Sequence, residues 1–275
     1  MIAPIDYGDV RFFRMARTFR GRAMYWTGVY FVDGHLIDSG PPNVGAEAER
    51  LFSELAPRAC VTTHHHEDHT GNHALLACRF GIVPRVHELA LPRLASPERL
   101  HLYRRMAWGT PRPITCEPLG HSVETGTFRF RVIHTPGHSD DHVVLYEADR
   151  GWLFTGDLYL GPRLKYVRPD EDVHGMMASL RRVIALEPTV LFCQHRGRVE
   201  RATAAHQQKL DSLCELQVRI EQLHAKGLSP ERIARSLPGQ DLLWRVWTAG
   251  HFSKLNLVRA ILKPRGDAGL QTRRV

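Results

Sequence analysis

Five cysteines are few for a chain of 275 residues, and they are odd in number, widely spaced and without a Cys-x-x-Cys pair. That excludes a disulfide framework. Cys60, Cys78 and Cys193 sit in apolar runs and are expected to be buried thiols. No segment reaches the roughly eighteen apolar residues of a membrane span. The opening MIAPIDYGDVRFF has neither the charged start nor the apolar core of a secretory signal, so the expected compartment is the cytoplasm. Blocks of like charge are also missing. The net charge of +8 comes from scattered arginines, such as Arg11, Arg14, Arg17, Arg20, Arg22, Arg181, Arg182, Arg196, Arg198, Arg201, Arg273 and Arg274. This is read as solvated surface rather than a nucleic-acid face. There is no internal repeat and no low-complexity segment.

What remains is a hydrophobic fraction of 43%, enough in a chain this long for a core without cross-links. A metal bound to such a chain serves chemistry rather than holding a mini-fold together. Residues 10–38 read as β, with "MYWTGVYFV" rich in aromatic and β-branched residues and Asp33-Gly34 marking a hairpin turn. Residues 44–56 read as a helix, "RACVTT" as a short buried strand, and "GNHALLACRFG" as a helix closed by Gly81. Residues 88–113 are a helical or irregular excursion. Strands return in "TCEPLG", "HSVETG", "TFRFRVIHTPGH", "HVVLYEA" and "GWLFTGD". A helix over 171–186 and a buried strand "TVLFCQH" follow. From about Val199 the apolar spacing is helical, with Ser229 and Pro230 starting one helix and a frayed tail expected over 264–275. This order predicts an α/β sandwich with helices covering two sheets. The expected domains are 1–198, carrying the chemistry, and a helical region over 199–275.

The densest feature is "TTHHHEDHTGNH", Thr62 to His73. The strand before it runs into His64-His65-His66. In extended backbone, His64 and His66 share a side, while His65 and Glu67 point away. The turn into the next helix, which carries His73, lets Asp68 and His69 approach the same locus. This HxHxDH set suits Zn²⁺, and Mn²⁺ or Fe²⁺ less selectively. Four ligands are too many for one catalytic zinc with an open position, so two ions are expected and more ligands must come from elsewhere. Three further strand ends offer them: His138 in "TPGH", Asp157 in "TGD", and His195 in "VLFCQH".

These motifs, with Asp38 in "LIDSG" before them, occur in an order that resembles the metallo-β-lactamase superfamily over roughly residues 25–198. The resemblance implies a metallo-β-lactamase αββα sandwich, followed here by the C-terminal helical region. It implies one ion on His64, His66 and His138, another on Asp68, His69 and His195, Asp157 and a hydroxide bridging them, and Asp38 supporting from below. Asp157 and the short stretch from it to His195 set the chain apart from true β-lactamases and from the nucleases with a large inserted domain. "THHHEDHTGN" and "TPGHSDDHVVLY" look like glyoxalase II and its relatives.

The expected function is therefore a dinuclear metal-dependent hydrolase, cleaving a small-molecule ester, thioester or lactone with the bridging hydroxide. The alternative is a compact nuclease or phosphodiesterase acting on RNA or nucleotides. Asp68 is expected to act as ligand and proton acceptor. Tyr159 is expected to donate to the substrate carbonyl, as in some lactonases. Arg163, Lys165 and Arg196 are candidates to pair with an anionic substrate, and His251 to reach the pocket from a C-terminal helix. His121, His134 and His142 are left as ordinary core or surface histidines. The expected partner is a small molecule, neither nucleic acid nor membrane.

Overall fold

Phe12 and Phe13 are neighbours in sequence and lie in different cores. Side chains alternate faces along a strand, so over Val10–Met15 the residues Val10 and Phe12 face a second sheet, while Phe13 and Met15 face helices. The same sorting holds near the middle of the chain. Leu145 joins the core between the sheets, whereas Val144 and Tyr146 face helices on the opposite side. Four layers result, in the order helix, sheet, sheet, helix. The computed structural model describes residues 1–239 and 242–264. Residues 265–275, most of the expected frayed tail, lie outside the described residues.

Strands β1 (Ile2–Asp6) and β2 (Val10–Met15) precede a small separate hairpin, β3 (Thr18–Phe19) with β4 (Arg22–Ala23). Then come β5 (Thr27–Val32), β6 (His35–Ile37), β7 (Ala59–Val61), β8 (Arg85–Val86) and β9 (Glu117–Pro118). Apart from the hairpin, these form one sheet in that order, antiparallel as far as β6 and parallel beyond it. The β5–β6 turn is Asp33-Gly34, with φ of 42° and 78°, the two left-handed residues that a tight hairpin needs. The second sheet contains β10 (Ser122–Glu124), β11 (Arg129–His134), β12 (Val143–Glu147), β13 (Trp152–Phe154), β14 (Val190–Cys193) and β15 (Gly197–Glu200), in sequence order and parallel only between β13 and β14.

Helices α1 (Gly45–Leu55), α2 (Glu67–Thr70) and α3 (His73–Phe80) follow the first parallel strands, and α1 and α3 cover the first sheet through Ala48, Phe52 and Leu76. The short helices α4 (Leu91–Ala95) and α5 (Leu102–Ala107) make up the expected excursion. On the far side, α6 (Val173–Ile184), α7 (Ala202–Ala225) and α8 (Pro230–Ser236) precede α9 (Leu242–Trp247) and α10 (Lys254–Leu262). Ser229 caps α8 by accepting from the Arg232 amide, as expected.

Two readings need correction. Cys78 is exposed, because it lies on the outer face of α3; Cys60 and Cys193 are buried as expected. Residues 197–200 are a strand, not the start of a helix. "GRVE" pairs back on β14 with Cys193 opposite Gly197, and the helical region starts at Ala202. That region packs directly on α6: Leu210, Ile233 and Val258 share one cluster with Met176 and Leu180. Among the described residues, no helix is long and apolar enough to cross a membrane.

Candidate metal centre

Strands β6, β7, β11, β13 and β14 end at one edge of the two sheets, and each hands a chemical group to the same place. All seven expected ligand residues meet there and are buried or nearly so. His64, His66 and His138 form one converging set; Asp68, His69 and His195 form another. Nε2 of His64 and Nε2 of His138 lie 2.8 and 3.0 Å from Nδ1 of His66. Asp157 reaches both sets. Its Oδ2 is 3.2 Å from His138 Nε2, and its Oδ1 is 3.4 Å from His69 Nε2 and 3.2 Å from His195 Nε2. Donor atoms on a tetrahedral ion with bonds of about 2.0–2.1 Å stand roughly 3.3 Å apart, close to the spacing around Asp157, while the three histidines of the first set stand somewhat closer.

The outer nitrogens show why the inner ones are free to ligate. His69 Nδ1 donates to Asp38 Oδ2 at 2.8 Å, His195 Nδ1 to the Trp26 carbonyl at 2.7 Å, and His138 Nδ1 to Glu171 Oε2 at 3.2 Å. Thr63 Oγ1 lies 3.1 Å from His64 Nδ1. Each such bond fixes the tautomer that turns a bare Nε2 inward. His66 is reversed, with Nδ1 inward. Two buried atoms, His69 Nε2 and Asp157 Oδ1, have no hydrogen-bond partner. Such atoms are rare in folded proteins unless something else binds them, and a cation between them satisfies both. The residues therefore fit metal ions.

Charge differs across the cluster. Burial pushes His69 and His195 down, but Asp157 and Asp68 beside both, and Asp38 beside His69, outweigh it and hold both imidazoles well above their usual range. Burial would raise Asp157, but His195, His69 and His138 hold it well below. His64 and His66 are well below the ordinary histidine value, first through burial, then through His69 beside His64 and Arg168 beside His66.

Supporting residues are set tightly. Asp38 is fully buried in a left-handed conformation (φ 64°) and also accepts from the Thr63 amide and from Gln194 Nε2 at 2.8 and 2.6 Å. Gly156 has φ 48°, and a Cβ there would come within 2.6 Å of His142 Nε2, so the turn that presents Asp157 requires glycine. That same His142 nitrogen accepts from the Asp157 amide at 3.1 Å. His142, left unassigned in sequence, thus holds the backbone of the shared carboxylate. Burial lowers it to about 3 and keeps it neutral.

Sequence reasoning also missed Arg168 and Glu171. Glu171 Oε1 accepts from the Arg168 amide, and Arg168 donates to the His138 carbonyl at 2.8 Å with the same nitrogen 3.3 Å from His66 Nε2. The cluster of charge in "RPDE" was the available signal.

The family profile of the metallo-beta-lactamase superfamily matches residues 31–195. The chain belongs to this superfamily. A beta-lactamase domain protein from Burkholderia ambifaria has the same fold, at 19% identity and a TM-score of 0.67 over 93% of this chain and 88% of that one. Hydroxyacylglutathione hydrolase of Legionella pneumophila (strain Lens) is 26% identical over 66% of this chain and 65% of its own length. Beta-lactamase-like protein 2 homolog of Drosophila melanogaster is 30% identical over 60% and 55%. Atrochrysone carboxyl ACP thioesterase of Aspergillus fumigatus is 30% identical over 64% and 51%. The chain thus spans about half to two thirds of these relatives. Superfamily membership and this donor set together make the cluster a site for divalent metal ions.

Other expected residues fall elsewhere. Tyr159 is a correction. The turn Gly156–Leu158 carries it away, and its ring packs with Leu191, Cys193 and Ala202, edge-on to His206 at 5.5 Å. It is a packed aromatic with no assigned part in the site. Arg163 and Lys165 are exposed, and Arg196 donates to the Leu160 carbonyl. His65 and Glu67 do point out of the cluster, but into partners: His65 Nδ1 donates to Asp141 at 2.7 Å, and buried Glu67 accepts from Arg104 Nε at 2.7 Å. His73 lies on α3, bonded to Thr62. His251 lines a cleft of about 820 Å³ that also takes in His65, His66 and Ser139.

Proposed function

We propose that the protein is a metal-dependent hydrolase of a small-molecule ester, thioester or lactone, working with two zinc ions. His64, His66 and His138 would hold one ion, Asp68, His69 and His195 the other, with Asp157 spanning both. The observation that carries this reading is the shared carboxylate of Asp157, 3.2 Å from His138 on one oxygen and 3.2 Å from His195 on the other. When bound, the ions supply the Lewis acidity that makes water a nucleophile near neutral pH and polarises a carbonyl. The chain's own residues do the rest. Asp38, Glu171 and the Trp26 carbonyl orient the imidazoles. Asp68, whose Oδ2 lies 3.4 Å from His195 Nε2, is both ligand and proton acceptor.

A thioesterase and a hydroxyacylglutathione hydrolase among the relatives support acyl transfer to water. The nuclease alternative is weaker, because the cleft beside the cluster has four arginines and four carboxylates, a poor track for a polyanion. Free cysteines throughout the described residues support a cytoplasmic setting. The test is metal content of the purified protein, measured beside a panel of lactones, thioesters, phosphodiesters and a chromogenic β-lactam. Two equivalents of zinc and turnover of an ester-type substrate are expected. A chain without transition metal, or one that turns over only phosphodiesters, overturns the reading.

A further inference from the structure

The cleft that opens on His66 is built by two segments distant in sequence. One wall is the 97–112 stretch, with Arg99, His101, Arg104 and Arg112; the other is the 249–251 turn with His251. These walls are joined: Tyr103 Oη lies 2.8 Å from His251 Nδ1, and the His101 and His251 rings stack at 3.9 Å and 24°. The His251 turn is itself fixed, because Asn256 Nδ2 donates to the His251 carbonyl at 2.9 Å. His251 is therefore held in place before any ligand arrives, with Nδ1 engaged by Tyr103. Burial, then His101 and Arg168 beside it, hold its imidazole at about 4, so at neutral pH it is an uncharged hydrogen-bonding group.

The charges of the cleft do not cancel locally. Glu67 is taken by Arg104, Asp140 by Arg93 and Asp170 by Arg168. Glu98 is the remaining lining carboxylate, while Arg99 and Arg112, both exposed, have no carboxylate partner among the described residues. Two exposed guanidinium groups without a carboxylate partner, lining the same cleft as a preset imidazole, are suited to a group with two equivalent oxygens.

We propose that this cleft is an anion subsite, in which Arg99, Arg112 and His251 take a carboxylate or phosphate group at the end of the substrate remote from the bond that is cleaved. His251 is a specificity residue, and Tyr103 positions it. The proposal rests on the hydrolase reading for its role in substrate choice, but not for the binding of the anion.

The experiment titrates the metal-loaded, full-length protein calorimetrically with glutarate and, separately, with glycerol 3-phosphate. At least one is expected to bind and to lose at least ten-fold in affinity in Arg99→Ala/Arg112→Ala; that one identifies the anion. His251→Phe is expected to weaken the same anion about three-fold. An ester bearing that anion on its acyl chain is then compared with its uncharged analogue. The kcat/KM ratio is expected to favour the charged ester at least ten-fold and to fall at least five-fold in the double variant. Anion binding that is indifferent to the double variant overturns the subsite, whatever the enzyme hydrolyses. Binding that needs the arginines in a protein that hydrolyses no ester keeps the subsite and overturns the hydrolase reading. A ratio near one overturns the role in substrate choice.

Discussion

The two halves of the metal cluster are supported by opposite electrostatic means. The half with Asp68, His69 and His195 stands on Asp38, a wholly buried carboxylate whose partners are neutral donors apart from His69 itself. The half with His64, His66 and His138 stands on Glu171, a carboxylate already paired with the buried guanidinium of Arg168, which in turn lies against His66 and under Phe252. The first half accumulates negative charge and draws in positive charge, as the raised His69 and His195 show. In the second, Arg168 offsets Glu171 and His64 and His66 stay neutral, although, against burial and Arg168, Asp157 and Glu171 raise His138. The difference teaches that the ions should bind unequally, the half over Asp38 more tightly.

The severest way to break the comparison is to remove what the halves share. Asp157→Ala takes a donor from both, and among the described residues no second carboxylate reaches both sets. Metal content is expected to fall from two ions to one or fewer, and kcat/KM to fall at least about a thousand-fold. Metal analysis beside kinetics checks this. Retention of two ions would mean that Asp157 is not a bridge.

The supports can be weakened singly. Asp38→Asn preserves shape but removes the charge that fixes His69, and the tighter ion is expected to lose about a hundred-fold in affinity. Glu171→Gln is expected to cost the other ion only about ten-fold, because the Thr63 contact to His64 and the Asp157 and Arg168 contacts to His138 are untouched and Arg168 keeps Asp170. Titration with a competing chelator resolves the two ions. Equal losses at both would remove the asymmetry.

How legible each half was from sequence follows the same division. His64 to His69, His138, Asp157 and His195 each follow a short apolar strand, and strand ends are where such folds put side chains together. Asp38 follows β6 and was legible for the same reason. Glu171 and Arg168 follow an irregular segment with no apolar run, so only the charge in "RPDE" marked them, and charge alone does not place a side chain at the cluster. His142 precedes its strand rather than following it and looked like an ordinary core histidine. Tyr159 misled because two residues from Asp157 suggested closeness, whereas the turn at Gly156–Leu158 sends it to the α7 side. The layered fold was readable in the order of strand-like and helix-like segments along the chain. Strand β15 was not, because "GRVE" has little apolar pattern and is held by its pairing with β14.

The smallest effect tests the flank of Asp38 by acid. His73 is fully buried on α3, with Nε2 3.0 Å from Thr62 Oγ1, and Thr62 adjoins the Thr63 that feeds Asp38. Burial lowers its pKa to about 3. A histidine whose folded pKa is depressed takes up its proton more readily when unfolded, so its contribution to stability is complete above the unfolded value near 6.5 and shrinks as the pH falls towards 3. From pH 6.5 to 5.5 the loss is about 1 kcal/mol from this group alone. Carboxylates and the other buried histidines titrate too, so the comparison is between wild type and His73→Gln, which keeps a polar partner for Thr62. Urea unfolding at both pH values is expected to show a pH-dependent loss about 1 kcal/mol smaller in the variant. An equal loss in both proteins would mean that His73 can be protonated without leaving its place, and that the neutral flank under Asp38 is no more acid-sensitive than the charge-balanced one under Glu171.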